Sequence, residues 1–352
     1  MARDLKLGLN FGYWAGGPPP GALESLKEAE QLGFESCWTA EAYGSDALIP
    51  LAWWGSETER IKLGTAIVQI SARTPAATAM AAMTLDHLSG GRLILGVGVS
   101  GPQVVEGWYG QSFAKPLARM REYIGILRDI WARNGPVSKE GPHYPLPYQG
   151  AAGLPEPTGL GKALKASIHP LREDIPVYLA AEGPKNIAMA AELCDGWLAI
   201  FYSPEHEDLY EEPLREGFAR DGARRTPEDF EVAATVPLIV TDDIEAAADM
   251  MRPMYALYFG GMGAKSANFH ANVPIRMGYE AEVRKIQDLY LEGKKDEAMA
   301  AVPQKLIEEL TLIGPREKIR DELEAWRESS VTTLLISGDP ATLRTAAELV
   351  LG

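Results

Sequence analysis

Residues 61–101, IKLGTAIVQISARTPAATAMAAMTLDHLSGGRLILGVGVSG, constrain the fold more than any other stretch of the chain. Residues 61–70 form a β-branched apolar run with almost no polar interruption, the pattern of a strand covered on both faces. Thr74 then offers an N-cap oxygen, and Pro75 brings a preset φ to the first helical position. Residues 76–88 are rich in Ala, Met and Leu, which favour helix. Ser89-Gly90-Gly91 supplies the left-handed residue on which a helix ends. Arg92 opens a second apolar run, residues 93–97. A parallel strand pair needs a crossover of this length, so the stretch is predicted to be a βαβ unit.

The same alternation recurs along the chain. Further strands are predicted at 5–11, 34–40, 177–181, 195–201, 231–240 and 332–337. Helices are predicted at 22–32, 46–58, 116–131, 184–193, 205–221, 244–258, 315–327 and 340–349. Residues 99–115 read as a long loop. Eight strands alternating with helices favour α/β architecture of the closed (β/α)8 TIM-barrel type over an open doubly wound sheet. Two stretches break the rhythm: 134–176, rich in proline and glycine, and 260–314, glycine-rich at first and helical from about 279. The expectation is one barrel domain over residues 1–352 with insertions at these two places. In such barrels the chemistry sits at the C-terminal ends of the strands. Asn10, Phe11, Glu41, Gln69 to Arg73, Gly98 to Gly101, Ala181 to Pro184, Phe201 and Tyr202 are therefore candidate site residues.

The formal net charge of −15 argues against general binding to nucleic acid or to anionic membranes. No stretch approaches the roughly 18 consecutive apolar residues of a membrane span. The two cysteines, Cys37 and Cys194, each adjoin an apolar segment and read as buried free thiols. A cytoplasmic protein acting on a small molecule is the expectation.

Gly96-Val97-Gly98-Val99-Ser100-Gly101 matches G-x-G-x-x-G. The run follows the fourth strand instead of opening the fold, so a glycine turn that lets a ligand approach the backbone fits better than a dinucleotide fingerprint. Ala181-Glu182-Gly183-Pro184-Lys185-Asn186 joins a strand to a helix. Its free N–H groups and Lys185 suit a phosphate, and a plain capped turn reads equally well. Asp86 and Arg92 flank a turn at the opposite end of the barrel, where an ion pair would brace the fold. His87, His143, His169, His206 and His270 lack metal-ligand spacing, so no metal is expected. Trp14, Trp53, Trp54, Trp108, Tyr109, Phe201 and Tyr202 lie in or near the site loops and could wall a planar ring. Glu41 sits where a strand-end acid could move a proton, or be held in a salt bridge.

LGTAIVQ, RTPAATAMAAMTLDHLSGGRLILGVGVSG and VYLAAEGPKNIAMAAELCDGW together resemble the luciferase-like superfamily of flavin and deazaflavin oxidoreductases, over nearly the whole chain. GPQVVEGWYG, KPLARMREYI and GGMGAKSANFH are similar to its coenzyme F420-dependent branch, which includes methylenetetrahydromethanopterin reductase-like proteins. The resemblance implies hydride transfer at the deazaflavin C5, with FMN as the alternative cofactor of a luciferase-like monooxygenase. A non-catalytic flavin- or deazaflavin-binding barrel is the remaining alternative. It implies a non-prolyl cis peptide at Ala66-Ile67 behind the ring, with Gln69 at the ring edge and Arg73 nearby. It also implies phosphate contacts from Val99, Ser100 and Gly101 and from Glu182, Gly183, Pro184 and Lys185, with Gly98 and Ala181 also binding the cofactor. Glu41 takes the place of an aspartate in the sugar-phosphate dehydrogenase of that branch, and Ala42 that of the histidine after it, so that enzyme's acid–base pair is not carried over. The substrate pocket would draw on Phe11, Trp108, Tyr109, Phe201 and Tyr202. Residues 260–276 would form a lid, and the assembly would be a homodimer or larger.

Overall fold

The computed structural model describes residues 4–14, 16–150, 156–263, 265 and 268–352. Its strands are β1 (Lys6–Gly12), β2 (Ser36–Thr39), β3 (Lys62–Thr65), β4 (Val68–Gln69), β5 (Leu93–Gly98), β6 (Val177–Ala180), β7 (Gly196–Ile200), β8 (Glu231–Thr235), β9 (Leu238–Val240), β10 (Leu312–Gly314) and β11 (Thr333–Ile336). Its helices are α1 (Ala22–Gln31), α2 (Leu48–Gly55), α3 (Pro75–Leu88), α4 (Pro102–Gly107), α5 (Pro116–Ala132), α6 (Pro184–Leu193) and α7 (Asp208–Phe218), followed by α8 (Ile244–Ala256), α9 (Asn272–Arg276), α10 (Glu280–Leu291), α11 (Lys295–Ala300), α12 (Gln304–Glu309), α13 (Arg316–Glu328) and α14 (Pro340–Val350). Parallel pairing runs β3-β2-β1-β11-β8-β7-β6-β5, and a β3–β5 pairing closes the ring. β4 continues the β3 position, so the ring has eight staves, as the alternation predicted.

Three predicted elements come out differently. The run 61–70 is two strands, because the cis peptide at Ala66-Ile67 interrupts it. At this break Thr65 Oγ1 accepts from the Gly96 N–H at 2.9 Å and donates to the Gly96 carbonyl at 2.8 Å, so the neighbouring backbone stays satisfied. The run 231–240 breaks at Pro237, which has no N–H to give a ladder. Its second half, β9, leaves the barrel and pairs with β10, the return strand of the second insertion. The loop 99–115 holds α4, whose six residues are too few to show a helical period.

Strand alternation sorts the side chains into two cores. Outward residues such as Leu7, Leu9, Leu63, Leu95, Leu179 and Trp197 pack with the helices. Inward residues Trp38, Ile94, Tyr178, Leu198, Ala233 and Leu335 fill the barrel. Glycines give the large rings room: a Cβ on Gly64 would stand 2.3 Å from the Trp38 ring. The next inward layer toward the C-terminal end brings together Ala66, Ile67, Gly98 and Ala180, with the Ile67 side chain over Gly98. Apart from Ile67 it is made of small residues.

The opposite end is braced by ion pairs, with one change of partner. Asp86 is held by Arg172, whose Nε lies 3.0 Å from its carboxylate, and not by Arg92 as expected. Arg92 instead donates to the carbonyls of Gly55, Thr58 and Ile61 at 2.7 to 3.0 Å. Arg172 arrives from the first insertion, 86 residues away, where no local pattern could announce it. At the same end Lys6 Nζ lies 2.6 Å from Glu231, and Thr332 donates to the same carboxylate. Burial pushes the Glu231 carboxyl up, and Lys6 and Thr332 outweigh it, holding it below the usual carboxylate range. A depressed carboxyl stabilises the fold above its unfolded pKa of about 4.3 and loses that stabilisation as pH falls through the folded value. Glu231→Gln should therefore flatten the acid limb of stability below about pH 4.3, measured by urea unfolding across pH. An unchanged acid limb would show that other carboxylates set it.

Candidate active site

Glu41 follows β2 and turns back under the mouth. Arg73 Nη1 donates to both of its oxygens, at 2.7 and 2.8 Å. The Gln69 N–H donates to Oε1 at 3.0 Å and the Ala47 N–H to Oε2 at 3.4 Å. Arg73 also pairs with Asp46. The Glu41 side chain is only 3% exposed. This carboxylate therefore ties the β2–α2 loop to the β4–α3 loop. Beside it, Gln69 Nε2 donates to the Ala42 carbonyl at 2.9 Å, and the Tyr109 hydroxyl donates to the same carbonyl at 3.1 Å. Gln69 Oε1 is buried and has no partner among the described residues. A buried acceptor left open in this way costs about 1–3 kcal/mol unless something donates to it.

Gly98 is the last residue of β5, and a Cβ there would stand 2.4 Å from Ile67 Cδ1. The backbone then passes through Ser100 at φ 58°, a left-handed conformation rare for a residue with a side chain. α6 opens from the neighbouring strand with Gly183 as its cap and Pro184 at its first position, and no side chain caps it. Pro184 has no N–H, and the Asn186 and Ile187 N–H groups donate to the Gly183 carbonyl at 2.9 and 3.0 Å, so the positive dipole end and the exposed Lys185 are what this helix start offers an anion.

Glu182, between β6 and α6, meets residues the sequence left aside. His270 Nδ1 lies 2.5 Å from Glu182 Oε1, and Arg276 donates to the Glu182 carbonyl at 2.5 Å. Glu182 Oε2 and Asn186 Oδ1 are buried with no partner among the described residues. Tyr258, on the π-helical turn Leu257–Gly261 after α8, stands edge-on to His270 with ring centroids 5.0 Å apart. Burial pushes its hydroxyl well up, and a hydrogen bond to Tyr13 adds to the shift. That bond joins the turn after α8 to the loop after β1. Asn268 donates to the carbonyls of Tyr258 and Phe259 at 2.9 Å and so fixes the segment that carries His270. GGMGAKSANFH, which ends in His270, was the one sequence signal for this cluster. Residues 264, 266 and 267 of the expected lid lie outside the described residues.

The family profile of luciferase-like monooxygenases matches residues 11–333. The chain belongs to the luciferase-like monooxygenase family. It is 55% identical over 351 residues, 99% of this chain and 100% of the other, to a protein of Mycobacterium tuberculosis strain H37Rv that bears the provisional name coenzyme F420-dependent oxidoreductase Rv3520c. It is 26% identical over 316 residues, 90% of this chain and 88% of the other, to 5,10-methylenetetrahydromethanopterin reductase of Archaeoglobus fulgidus. The solved F420-dependent tetrahydromethanopterin reductase of Methanopyrus kandleri superposes with a TM-score of 0.78 over 99% of both chains at 21% identity, a likeness of fold.

The mouth of this luciferase-like barrel gathers some of the expected residues and not others. Ala66, Ile67, Gln69 and Gly98 meet at one side, and Glu182 to Lys185 stand on the β6–α6 turn. Ala181 is turned outward into the helix-packed core, where its carbonyl accepts from Trp197 Nε1 at 2.8 Å. Trp108 is exposed beside Tyr109. Phe201, at φ 59°, buries its ring under Tyr255, Tyr258 and Phe259, at centroid distances of 5.8, 5.3 and 5.1 Å. Tyr202 points the other way. It stacks on Tyr210 at 4.5 Å and contacts Trp326, within the shell between barrel and helices, so it is not a pocket residue. Phe11 turns its ring to Trp54 at 4.8 Å, and Trp14 joins them, so these rings serve packing outside the barrel. The reason is the same for Tyr202 and Phe11: one residue along a strand end reverses the face. Trp53 is on the outer surface of α2.

Proposed function

We propose that the protein is a coenzyme F420-dependent oxidoreductase that moves a hydride between the deazaflavin and an organic substrate. The 55% identity over 99% of the chain to the mycobacterial F420-dependent oxidoreductase carries this reading. The residues of the mouth fit such a group. Ala66, Gly98 and Ala180 are small residues above Trp38 and Tyr178, with Ile67 beside them, and would form the face on which a flat ring rests. The open acceptor of Gln69 suits a ring N–H, and that of Asn186 suits a hydroxyl. The uncapped start of α6, with Lys185, suits the phosphate. Glu182 is drawn into its contact with His270, which leaves that helix start less opposed by its charge.

When bound, the deazaflavin supplies C5 as the hydride donor or acceptor. Gln69 and the backbone at Ala66 and Ile67 orient the ring, and Gly98 to Gly101 with Gly183 to Lys185 hold its tail. We assign Glu41 to positioning rather than proton transfer. Both of its oxygens are already engaged, and it fixes Gln69 through the backbone N–H. Fluorescence or calorimetric titration with F420 and with FMN tests the reading. F420 should bind and FMN should bind far more weakly. Tight FMN binding without F420 binding would move the protein to the FMN-dependent monooxygenases of the same fold.

We also propose a homodimer and a cytoplasmic setting. Ile49 and Trp53, four residues apart on α2, and Met80 on the neighbouring α3 form an exposed apolar face, with Trp53 74% exposed. Trp53→Glu should convert a dimer to a monomer in analytical ultracentrifugation. A wild type that sediments as a monomer would remove this assignment. Cys37 and Cys194 are buried free thiols, and burial pushes Cys37 up to about 12, so neither is poised to oxidise. Among the described residues no helix is long and apolar enough to cross a membrane.

A further inference from the structure

We infer that His270 is the proton-transfer residue of this site and that Glu182 is the positioning residue that holds its imidazole. The inference rests on the oxidoreductase reading above and goes beyond it, because that reading leaves the proton unassigned.

Three observations support it. First, the pair is at the mouth. Glu182 is on the β6–α6 turn, two residues past the inward Ala180, at the C-terminal end of the barrel. Second, the pair has unused capacity. His270 uses Nδ1 on Glu182, and Nε2 has no partner among the described residues. The His270 side chain remains 27% exposed, which leaves part of the ring open to a ligand. Glu182 Oε2 is buried and also without a partner there. A histidine kept for packing alone would satisfy both nitrogens or bury them in apolar contact. Glu41, the other carboxylate of the mouth, has no such capacity. Third, the groups around His270 favour a stable orientation. Glu182 faces it from the β6–α6 turn, and Tyr258 and Phe201 box its ring edge-on at 5.0 and 6.0 Å. Arg276 from α9 spends a donor on the Glu182 carbonyl and leaves the carboxylate to the imidazole. Glu182 and Arg276 are the charged groups that face the pair from the elements packed on it.

The step balances for a polarised double bond, of which C=O is the simplest. The bound reduced deazaflavin would supply the hydride to the carbonyl carbon, giving up two electrons. The π pair moves to oxygen, and oxygen takes the proton from His270 Nε2. Neutral imidazole keeps its Nδ1–H toward Glu182 and regains the Nε2 proton from water. The reverse direction oxidises an alcohol with His270 as base.

Two measurements on the full chain test this. In histidine-labelled protein, the nuclear magnetic resonance spectrum of neutral His270 should show the Nδ1–H tautomer. Its Nδ1–H resonance should move upfield in Glu182→Gln, because an amide oxygen accepts more weakly than a carboxylate. A His270 in the Nε2–H tautomer, or one whose Nδ1–H signal ignores Glu182→Gln, overturns the pairing. In wild-type protein, carbethoxylation of His270 by diethyl pyrocarbonate, read by mass spectrometry, should be slowed by bound F420. Equal rates while fluorescence shows F420 bound overturn the inference and leave the oxidoreductase reading standing. Failure of F420 to bind overturns that reading, and this inference with it.

Discussion

Arg73→Met should unfold about 3 kcal/mol more easily than the parent protein, the lower end of what is lost when a buried ion pair is halved. The lower end applies because Arg73 keeps 22% of its side chain exposed, so water screens part of its charge. What it leaves behind is worse placed. Glu41 is 3% exposed and would keep only the N–H groups of Gln69 and Ala47 as donors. Asp46 would lose its partner at the same time. Adding Glu41→Gln to Arg73→Met should recover part of the loss, because the uncompensated charge is then gone. Equilibrium urea unfolding of the two single variants and the double variant reads this directly. If Glu41 were instead the proton-transfer group, Glu41→Gln would abolish turnover while leaving the unfolding midpoint unmoved. The four contacts around its oxygens predict the opposite order of effects.

Gly96→Ala should be more damaging still and should yield no soluble barrel. A Cβ at residue 96 would lie 1.8 Å from the Thr65 carbonyl oxygen and 2.9 Å from the Thr65 carbonyl carbon. Both are backbone atoms, so no rotamer change relieves the clash. The contact sits beside the cis peptide, at the seam where β3 and β5 close the ring. Parting that seam removes two staves from each other, which places the change above the ~4–5 kcal/mol that marks exceptional substitutions. Gly98→Ala is the matched control. Its Cβ would meet only the end of the Ile67 side chain, at 2.4 Å, and that end can move. It should fold with a loss of about 1–3 kcal/mol. It should also bind F420 more weakly, because it fills the floor of the mouth. Soluble yield and thermal unfolding of the two variants, side by side, make the comparison. Equal behaviour would mean that the seam is not under the constraint described.

Much of this barrel could be read along the chain, and the reason is local. Thr74 and Pro75 start α3 as expected, with the Thr74 side chain accepting from the Ala77 N–H. The short apolar runs at β5 and β7 read as strands covered on both sides, and both are buried barrel strands. The glycines at 96 and 98 read as a turn that lets a ligand approach the backbone, and the close neighbours they have in the fold are the Thr65 carbonyl and the Ile67 side chain. The cis peptide was implied only by resemblance, since neither Ala66 nor Ile67 carries any local signal for it. Where reading failed, it failed at faces and at distant partners. Tyr202 was grouped with Phe201 although consecutive residues at a strand end point to opposite sides.

The order of strands, helices and the two insertions is a property of this sequence alone, because propensity, caps and hydrophobic period act within a few residues of each other. Tertiary structure decided which charges meet. Arg172 with Asp86 and His270 with Glu182 are pairs separated by 86 and 88 residues. Closing the ring brings each pair within reach, and nothing in the spacing of the chain encodes a contact made only once the barrel has closed.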